Sequence, residues 1–330
     1  MIRFAKSAGF VVPVLGLFLL CSLPLLNAQA PSAGGGTAII EPGQPPVVIH
    51  ATVEGAALAR QTGIFSTTND LYYHGGVSGI GVETAPKIYL VLWGSQWSSD
   101  PSGESGILQN FYNGVGGSSW LNSVVQYCQG VSSGTYYCNG AGTPAGNPSH
   151  IFAGVWADNS SQAPSKPRQS QIAAEAQKAA LHFGNTTAAS NASVQYVIAA
   201  AHGVKPQGFG TSYCAWHSST SSSYGTLAYT NLPYITDAGA SCGANFNGLG
   251  PNAGITIVGG HEMGETITDQ FPNGGWLDSG GAENGDKCAW ISSGQGASAD
   301  ITLSTGTFAV QSLWSNAFNS GNGGCVLSYP

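Results

Sequence analysis

Apolar runs separated by Gly-, Ser- and Asn-rich stretches give the chain its predicted elements. The clearest is Ile88-Tyr-Leu-Val-Leu-Trp93, a continuous apolar run closed by Gly94, as expected of a strand buried on both faces. Helical spacing predicts two short helices within 105–126, a helix over 169–183, and another over 252–269 behind Pro251. Further strands are predicted at 150–156, 194–201, 213–217, 224–230, 301–303, 308–313 and 326–329.

This order of elements indicates the fold class. Strands that alternate with helices and end in an irregular tail predict one α+β domain over residues 81–330, with a mixed sheet and packed helices. Residues 31–80 are rich in Gly, Pro, Ala and Thr and show little periodicity. We therefore expect them to form an extended leader, or a pro-segment.

The first thirty residues have the pattern of a secretory signal peptide. Arg3 and Lys6 precede an apolar stretch over 10–26, and the small-x-small sequence Ala28-Gln-Ala30 follows. We expect cleavage there, which removes Cys21 and exports the mature chain to the extracellular space. No later apolar segment is long enough to span a membrane.

The six cysteines that remain form an even set, which favours structural disulfides in an exported protein. Sequence order suggests that neighbours pair, although six cysteines allow fifteen connectivities. The predicted pairs are Cys128 with Cys138, Cys214 with Cys242, and Cys288 with Cys325.

Charge is scarce and acidic. Only 8% of residues are charged, against about a quarter in an average domain, and loss of Arg3 and Lys6 leaves seven basic against sixteen acidic residues. We expect no nucleic-acid or membrane partner, because both partners require a basic patch. We also expect a monomer. Six of the sixteen carboxylates fall within residues 262–286, and they are Glu262, Glu265, Asp269, Asp278, Glu283 and Asp286.

The sequence His261-Glu-Met-Gly-Glu265 predicts a metal site on the last helix of the domain. Side chains at i and i+4 lie on one helical face, close enough to hold one ion, so His261 and Glu265 are candidate ligands. Glu262 stands where H-E-x-x-H zinc peptidases keep the carboxylate that takes a proton from water. Glu265 replaces the second histidine, and an added negative ligand makes zinc a weaker Lewis acid.

A third ligand must come from outside the helix. Asp269 lies about 12 Å along the helix from His261 at 1.5 Å per residue, so we expect it to orient a ligand rather than bind the ion. Glu283 follows a turn-rich stretch that can fold back onto the helix. Asp286 is the next candidate, and Asp278 is a further substitute.

Two further histidines are candidates for a catalytic role. His217 follows Cys214 closely and could reach the metal pocket or bond to substrate. His202 follows the predicted strand over 194–201, at the strand end where active sites gather. Either could stabilise an oxyanion.

These motifs resemble those of a known group of proteins. The segments Gly260–Asp269, Gly275–Asp278 and Glu283–Cys288 are similar to a block in secreted bacterial and fungal proteins classed as candidate zinc peptidases, and more distantly to the plant phosphate-induced, Exordium-like proteins. Tyr213–His217 and Val310–Asn316 fit the same pattern. The resemblance implies a zincin-like domain in which Glu262 is the base and His261 and Glu265 are ligands.

Two functions follow as hypotheses. The first is a secreted zinc-dependent endopeptidase that hydrolyses polypeptide substrates. The second is a non-catalytic wall- or glycan-associated extracellular protein with a structural calcium ion, because Asp278, Glu283 and Asp286 offer the hard oxygen ligands that calcium prefers. Trp276, beside the acidic segment, could line a groove for glycan.

Overall fold

The computed structural model describes residues 1–2 and 36–329. The predicted signal peptide lies almost entirely outside these residues. The helices are α1 (Val53–Gln61), α2 (Glu104–Val115), α3 (Gln169–His182), α4 (Ala188–Asn191), α5 (Ala253–Thr268) and α6 (Phe318–Gly321). Short 3-10 turns occur at Ser95–Ser98, Leu121–Gln126, Ile235–Cys242, Phe246–Gly248 and Asp286–Cys288.

The strands confirm most of the pattern expected from the apolar runs. They are β1 (Gly36–Ala38), β2 (Val47–Ala51), β3 (Tyr72–Tyr73), β4 (Lys87–Trp93), β5 (Cys128–Gln129), β6 (Thr143–Pro144), β7 (Phe152–Asp158), β8 (Val194–Ala200), β9 (Tyr213–Ser222), β10 (Gly225–Leu232), β11 (Trp276–Leu277), β12 (Ala299–Leu303), β13 (Gly306–Val310), β14 (Leu313–Ser315) and β15 (Gly324–Val326). Helices α3 and α5 match their predicted ranges closely.

The main sheet is mixed, as predicted. Its seven strands lie in the order β1-β2-β9-β10-β8-β4-β7. The half formed by β10, β8, β4 and β7 is parallel, and the half formed by β1, β2, β9 and β10 is antiparallel. Every residue of β8 is buried, as the continuous apolar run at its centre requires.

Helices cover both faces of this sheet. On one face, Ser218 of β9 lies against Gln169 at the start of α3. His217, the preceding residue, points to the opposite face and approaches α5, because successive side chains of a strand alternate. The site therefore lies between the sheet and α5.

Three disulfides hold the irregular parts of the fold, and all three have the predicted pairing: Cys128–Cys138, Cys214–Cys242 and Cys288–Cys325. Within residues 1–2 and 36–329, no helix combines the length and apolar character needed to cross a bilayer.

The segment before residue 81 differs from its expected irregular form. Its described part, residues 36–80, contains β1, β2, α1 and β3. Strand β2 is an apolar run buried at every residue, and α1 is capped by Thr52, whose hydroxyl accepts a hydrogen bond from Gly55 N at 3.2 Å. Cleavage of the segment stays a prediction.

Candidate metal centre

Helix α5 carries the central residues of the site. It is buried along its whole length, and His261 and Glu265 lie one turn apart with His261 Nε2 3.1 Å from Glu265 Oε2. The close approach predicted from their i, i+4 spacing is therefore present. Glu262 is also buried, at 1% exposure.

Glycines allow neighbouring elements to pack closely around α5. A Cβ at Gly259 would stand 3.1 Å from the Tyr112 hydroxyl, and one at Gly264 would stand 3.0 Å from Leu313. Each helical glycine costs roughly 1 kcal/mol relative to alanine, so these positions favour packing over helix propensity. The result is a central helix whose polar side chains face protein and not solvent.

His217 reaches the same point from β9. Its Nε2 lies 3.6 Å from Glu265 Oε2 and 3.4 Å from Glu283 Oε2. Neither ring nitrogen of His217 has a hydrogen-bond partner among the described residues. The structure thus places this predicted site residue within the cluster.

The loop after β11 returns to α5 as predicted and brings two acids with it. The backbone N–H of Asp286 donates to Glu265 Oε1 at 2.8 Å, and the N–H of Glu283 donates to Asp286 Oδ2 at 3.1 Å. Asp286 Oδ1 lies 3.9 Å from His261 Nε2. The Cys288–Cys325 disulfide fixes the end of this loop.

Outer contacts orient the inner side chains. Gln311 Oε1 lies 3.2 Å from His261 Nδ1, and Gln311 Nε2 donates to Gly285 O at 2.8 Å. Because this amide is fixed by Gly285, its oxygen accepts the Nδ1 proton of His261, which leaves the Nε2 lone pair directed at Glu265. Asp269 accepts bonds from the backbone N–H groups of residues 273–275 and lies behind Glu283, as expected of a supporting carboxylate.

The spacing of the free atoms fits one metal ion. A tetrahedral ion with bonds of about 2.0–2.1 Å separates its ligand atoms by roughly 3.3 Å. Three pairs come close to this value: His217 Nε2 lies 3.6 Å from Glu265 Oε2 and 3.4 Å from Glu283 Oε2, and His261 Nε2 lies 3.1 Å from Glu265 Oε2. His261 Nε2 and Glu265 Oε2 have no hydrogen-bond partner among the described residues.

The buried carboxylates must be either protonated or balanced by a cation. Glu262, Glu265, Asp269, Glu283 and Asp286 are all buried, and among the described residues no Lys or Arg forms an ion pair with any of them. Burial raises the pKa of Glu262, Glu265 and Glu283 well above the usual range, and neighbouring carboxylates add to the effect for Glu262 and Glu283. A divalent ion would stabilise the ionised forms.

Burial favours the neutral form of the two candidate ligand histidines. Burial lowers the pKa of His217 to about 3 and that of His261 to about 4. Neutral imidazole is the form that binds metal ions. Two imidazole nitrogens together with carboxylate oxygens favour zinc or a similar transition metal over calcium, which prefers oxygen alone.

Glu262 lies among the potential ligands. Its carboxylate comes within 4.8 Å of ligand atoms of His217 and Glu265, and also of His50 and His261. Neither of its oxygens has a hydrogen-bond partner among the described residues. A free carboxylate beside a metal site can accept a proton from water.

His50 is a site residue that the sequence did not indicate. Its ring stacks on His261 with 3.7 Å between centroids and 5° between planes, and on the other side it lies 5.0 Å from the Trp290 ring. It occupies an apolar run, Val47-Val-Ile-His-Ala51, outside the acidic segment and without a motif around it. Only tertiary structure brings it to His261.

Three other predicted residues lie outside the cluster. His202 is 49% exposed and its Nδ1 lies 2.6 Å from Asp237 Oδ1. Asp278 uses Oδ1 to accept bonds from Gly280 N and Ala282 N, which closes its own turn. Trp276 does not line a groove, because it is fully buried and its Nε1 donates to Cys128 O.

No protein-family model, no curated protein and no solved structure matches the chain. The resemblance to candidate zinc peptidases therefore stays a prediction based on the motifs. What the chain can do is decided by the chemistry of the buried cluster of His217, His261, Glu262, Glu265, Glu283 and Asp286.

Proposed function

We propose that this chain is a secreted zinc-dependent endopeptidase with a zincin-like arrangement of its active helix. One observation carries the proposal. The Nε2 atoms of the buried His217 and His261 lie 3.6 and 3.1 Å from Glu265 Oε2, His217 Nε2 lies 3.4 Å from Glu283 Oε2, and the buried carboxylate of Glu262 lies beside them.

Three of the four proposed ligands lie on a helix or a strand, and the fourth lies on a loop. His261 and Glu265 come from α5, His217 from β9, and Glu283 from the loop, with Asp286 as the nearest alternative. His217 is thus better suited to hold the ion than to stabilise an oxyanion, the role predicted from sequence. His202, paired with Asp237 at a partly exposed position, has no contact with the cluster and is left out of the mechanism.

In peptide hydrolysis, the ion and Glu262 would have different roles. A bound zinc ion supplies Lewis acidity to a carbonyl and to water. Glu262 accepts a proton as the water oxygen attacks the carbonyl carbon, and it delivers that proton to the amine when the C–N bond breaks. His261 is held in one tautomer by Gln311 throughout.

A second candidate function is favoured by the depth of the site. His217, His261, Glu265, Glu283 and Asp286 all have 0% exposure. An ion enclosed to this extent could serve the fold alone, as in a non-catalytic extracellular protein. The two histidines make zinc the better fit than calcium for that role as well.

Glu262→Gln separates the two candidates. In an enzyme, this isosteric change should lower casein hydrolysis by about 10²–10⁴-fold while the zinc content stays near that of the unaltered chain. The control is Glu104→Gln, at a buried glutamate outside the cluster. Burial raises the pKa of Glu104 to about 8, so glutamine mimics its protonated form and both activity and zinc should be kept. Full activity in Glu262→Gln would exclude Glu262 as the base.

A further inference from the structure

Strand β2 covers the metal centre from within the same chain. All five of its residues are buried, and it pairs antiparallel with β9 so that Val48 lies opposite His217. Two residues further on, His50 lies flat against His261. The segment therefore contacts two of the proposed ligands, one through the backbone ladder and one through ring stacking.

Strand β1 extends this cover to the loop that carries the acids. Gly36 lies so close to Gly281 that an added Cβ would stand 3.5 Å from its carbonyl oxygen. The Thr37 hydroxyl donates to Asn273 Oδ1 at 3.2 Å. The β1–β2 hairpin thus connects β9 with the loop that holds Glu283.

Contacts at the ends fasten the hairpin. The Glu41 carboxylate accepts bonds from the backbone N–H and the hydroxyl of Ser170, both at 2.9 Å. At the other end, Trp290 Nε1 donates to Ala51 O at 2.8 Å. Between them, the carbonyl oxygens of Pro45 and Pro46 accept hydrogen bonds from Gln169 Nε2 and Ser218 Oγ, and β2 pairs with β9 through the main chain. Such contacts are reversible, because another extended segment or water can replace each of them.

We propose that residues 36–51 are an inhibitory segment that closes the metal centre, with His50 as the residue that fills the approach to His261 and Glu262. The proposal rests on the proposed peptidase function for its biological meaning. It explains why a site with the ligands of an enzyme is fully buried: the cover is part of the same chain and has to be displaced before a polypeptide can reach Glu262.

The chain offers a place at which the cover can be released. Residues 62–64, directly after α1, are all exposed and include Gly63. Exposed loops of small and polar residues are preferred sites of proteolysis. A cut there separates the hairpin and α1 from the rest of the domain, which holds every residue of the metal cluster except His50.

The test uses the full chain with a recognition sequence for a specific protease inserted between Thr62 and Gly63. The folded protein is cut and then incubated with an excess of labelled peptide of residues 36–51. We expect the rate of zinc transfer to a chelator to rise at least tenfold after the cut, the labelled peptide to bind, and casein hydrolysis to rise by a similar factor and fall when peptide is added.

Two controls accompany this chain. The same recognition sequence between Gly140 and Ala141, which are also exposed, should leave zinc transfer unchanged after cutting. Glu41→Ala in an uncut chain removes the bonds to Ser170, so it should speed zinc transfer several-fold even if the cut chain proves unstable.

The outcomes distinguish the two proposals. Zinc transfer that is unchanged by the cut and by Glu41→Ala, or a cut chain that does not bind the labelled peptide, would overturn the inhibitory segment. Faster zinc transfer and peptide binding without any casein hydrolysis would support the segment as a cover while refuting the peptidase function.

Discussion

If the proposed ion is bound, its removal should destabilise the fold strongly, because the ion would balance buried charge. Four carboxylates of the cluster and the adjacent Asp269 have no Lys or Arg partner among the described residues. An ion present at about 1,000 times its Kd stabilises the folded state by about 4 kcal/mol. At about 2–4 °C per kcal/mol for domains of 150–250 residues, chelation should lower Tm by about 8–16 °C, with the lower end expected for this longer chain.

The assay is thermal unfolding followed by near-UV circular dichroism, with and without a chelator, and again after zinc is restored. Glu265→Gln is the matched variant, because it removes one ligand charge without changing side-chain size. We expect this variant to start from a lower Tm and to respond little to the chelator. The same chelator-induced drop in Glu265→Gln, or no drop in the unaltered protein, would refute the reasoning.

Two further changes test the structure around the site and elsewhere. Gly285→Ala should weaken zinc binding at least tenfold in a metal titration. The added Cβ would stand 2.7 Å from His261 Nδ1 and 2.9 Å from Glu265 Oε1 and would push these side chains apart. Gly106→Ala, at a helical position with no atom near the added Cβ, is the control and should leave binding unchanged. Burial raises the pKa of Glu83 to about 8, so the folded state keeps a proton that the unfolded state loses above about pH 4.5, and the free energy of unfolding should fall between pH 4.5 and 8. Glu83→Gln should remove the part of this fall that Glu83 contributes, as much as about 4–5 kcal/mol on that shift. Urea unfolding at several pH values measures it, and a pH dependence that the substitution leaves unchanged would show that Glu83 is ionised in the folded protein.

Local patterns predicted the part of the site that lies on one helix. His261 and Glu265 could be paired from sequence, because i, i+4 spacing fixes their geometry wherever the helix lies. Glu283 could be predicted because acidic residues are concentrated after the helix in a chain that has few charges elsewhere. His217 was a candidate, but its role as a ligand depends on which face of β9 meets α5.

The rest depends on long-range pairing that no local pattern contains. The apolar run Val47–Ala51 fits a strand, yet nothing in it specifies that β2 pairs with β9. His50 reaches His261 only through that pairing. The pairing and register of a strand are set by the complete sheet. The position of the β1–β2 hairpin beside β9 therefore could not be predicted from the sequence.

The central claim is that one zinc ion is held by His217, His261, Glu265 and Glu283. It is tested most directly by a crystal structure of the zinc-loaded protein with anomalous diffraction measured at the zinc absorption edge. The account predicts a single strong peak about 2.0–2.1 Å from the Nε2 atoms of both histidines and from a carboxylate oxygen of each glutamate. A peak elsewhere, or a cluster closed by hydrogen bonds among protonated carboxyl groups with no peak, would contradict it.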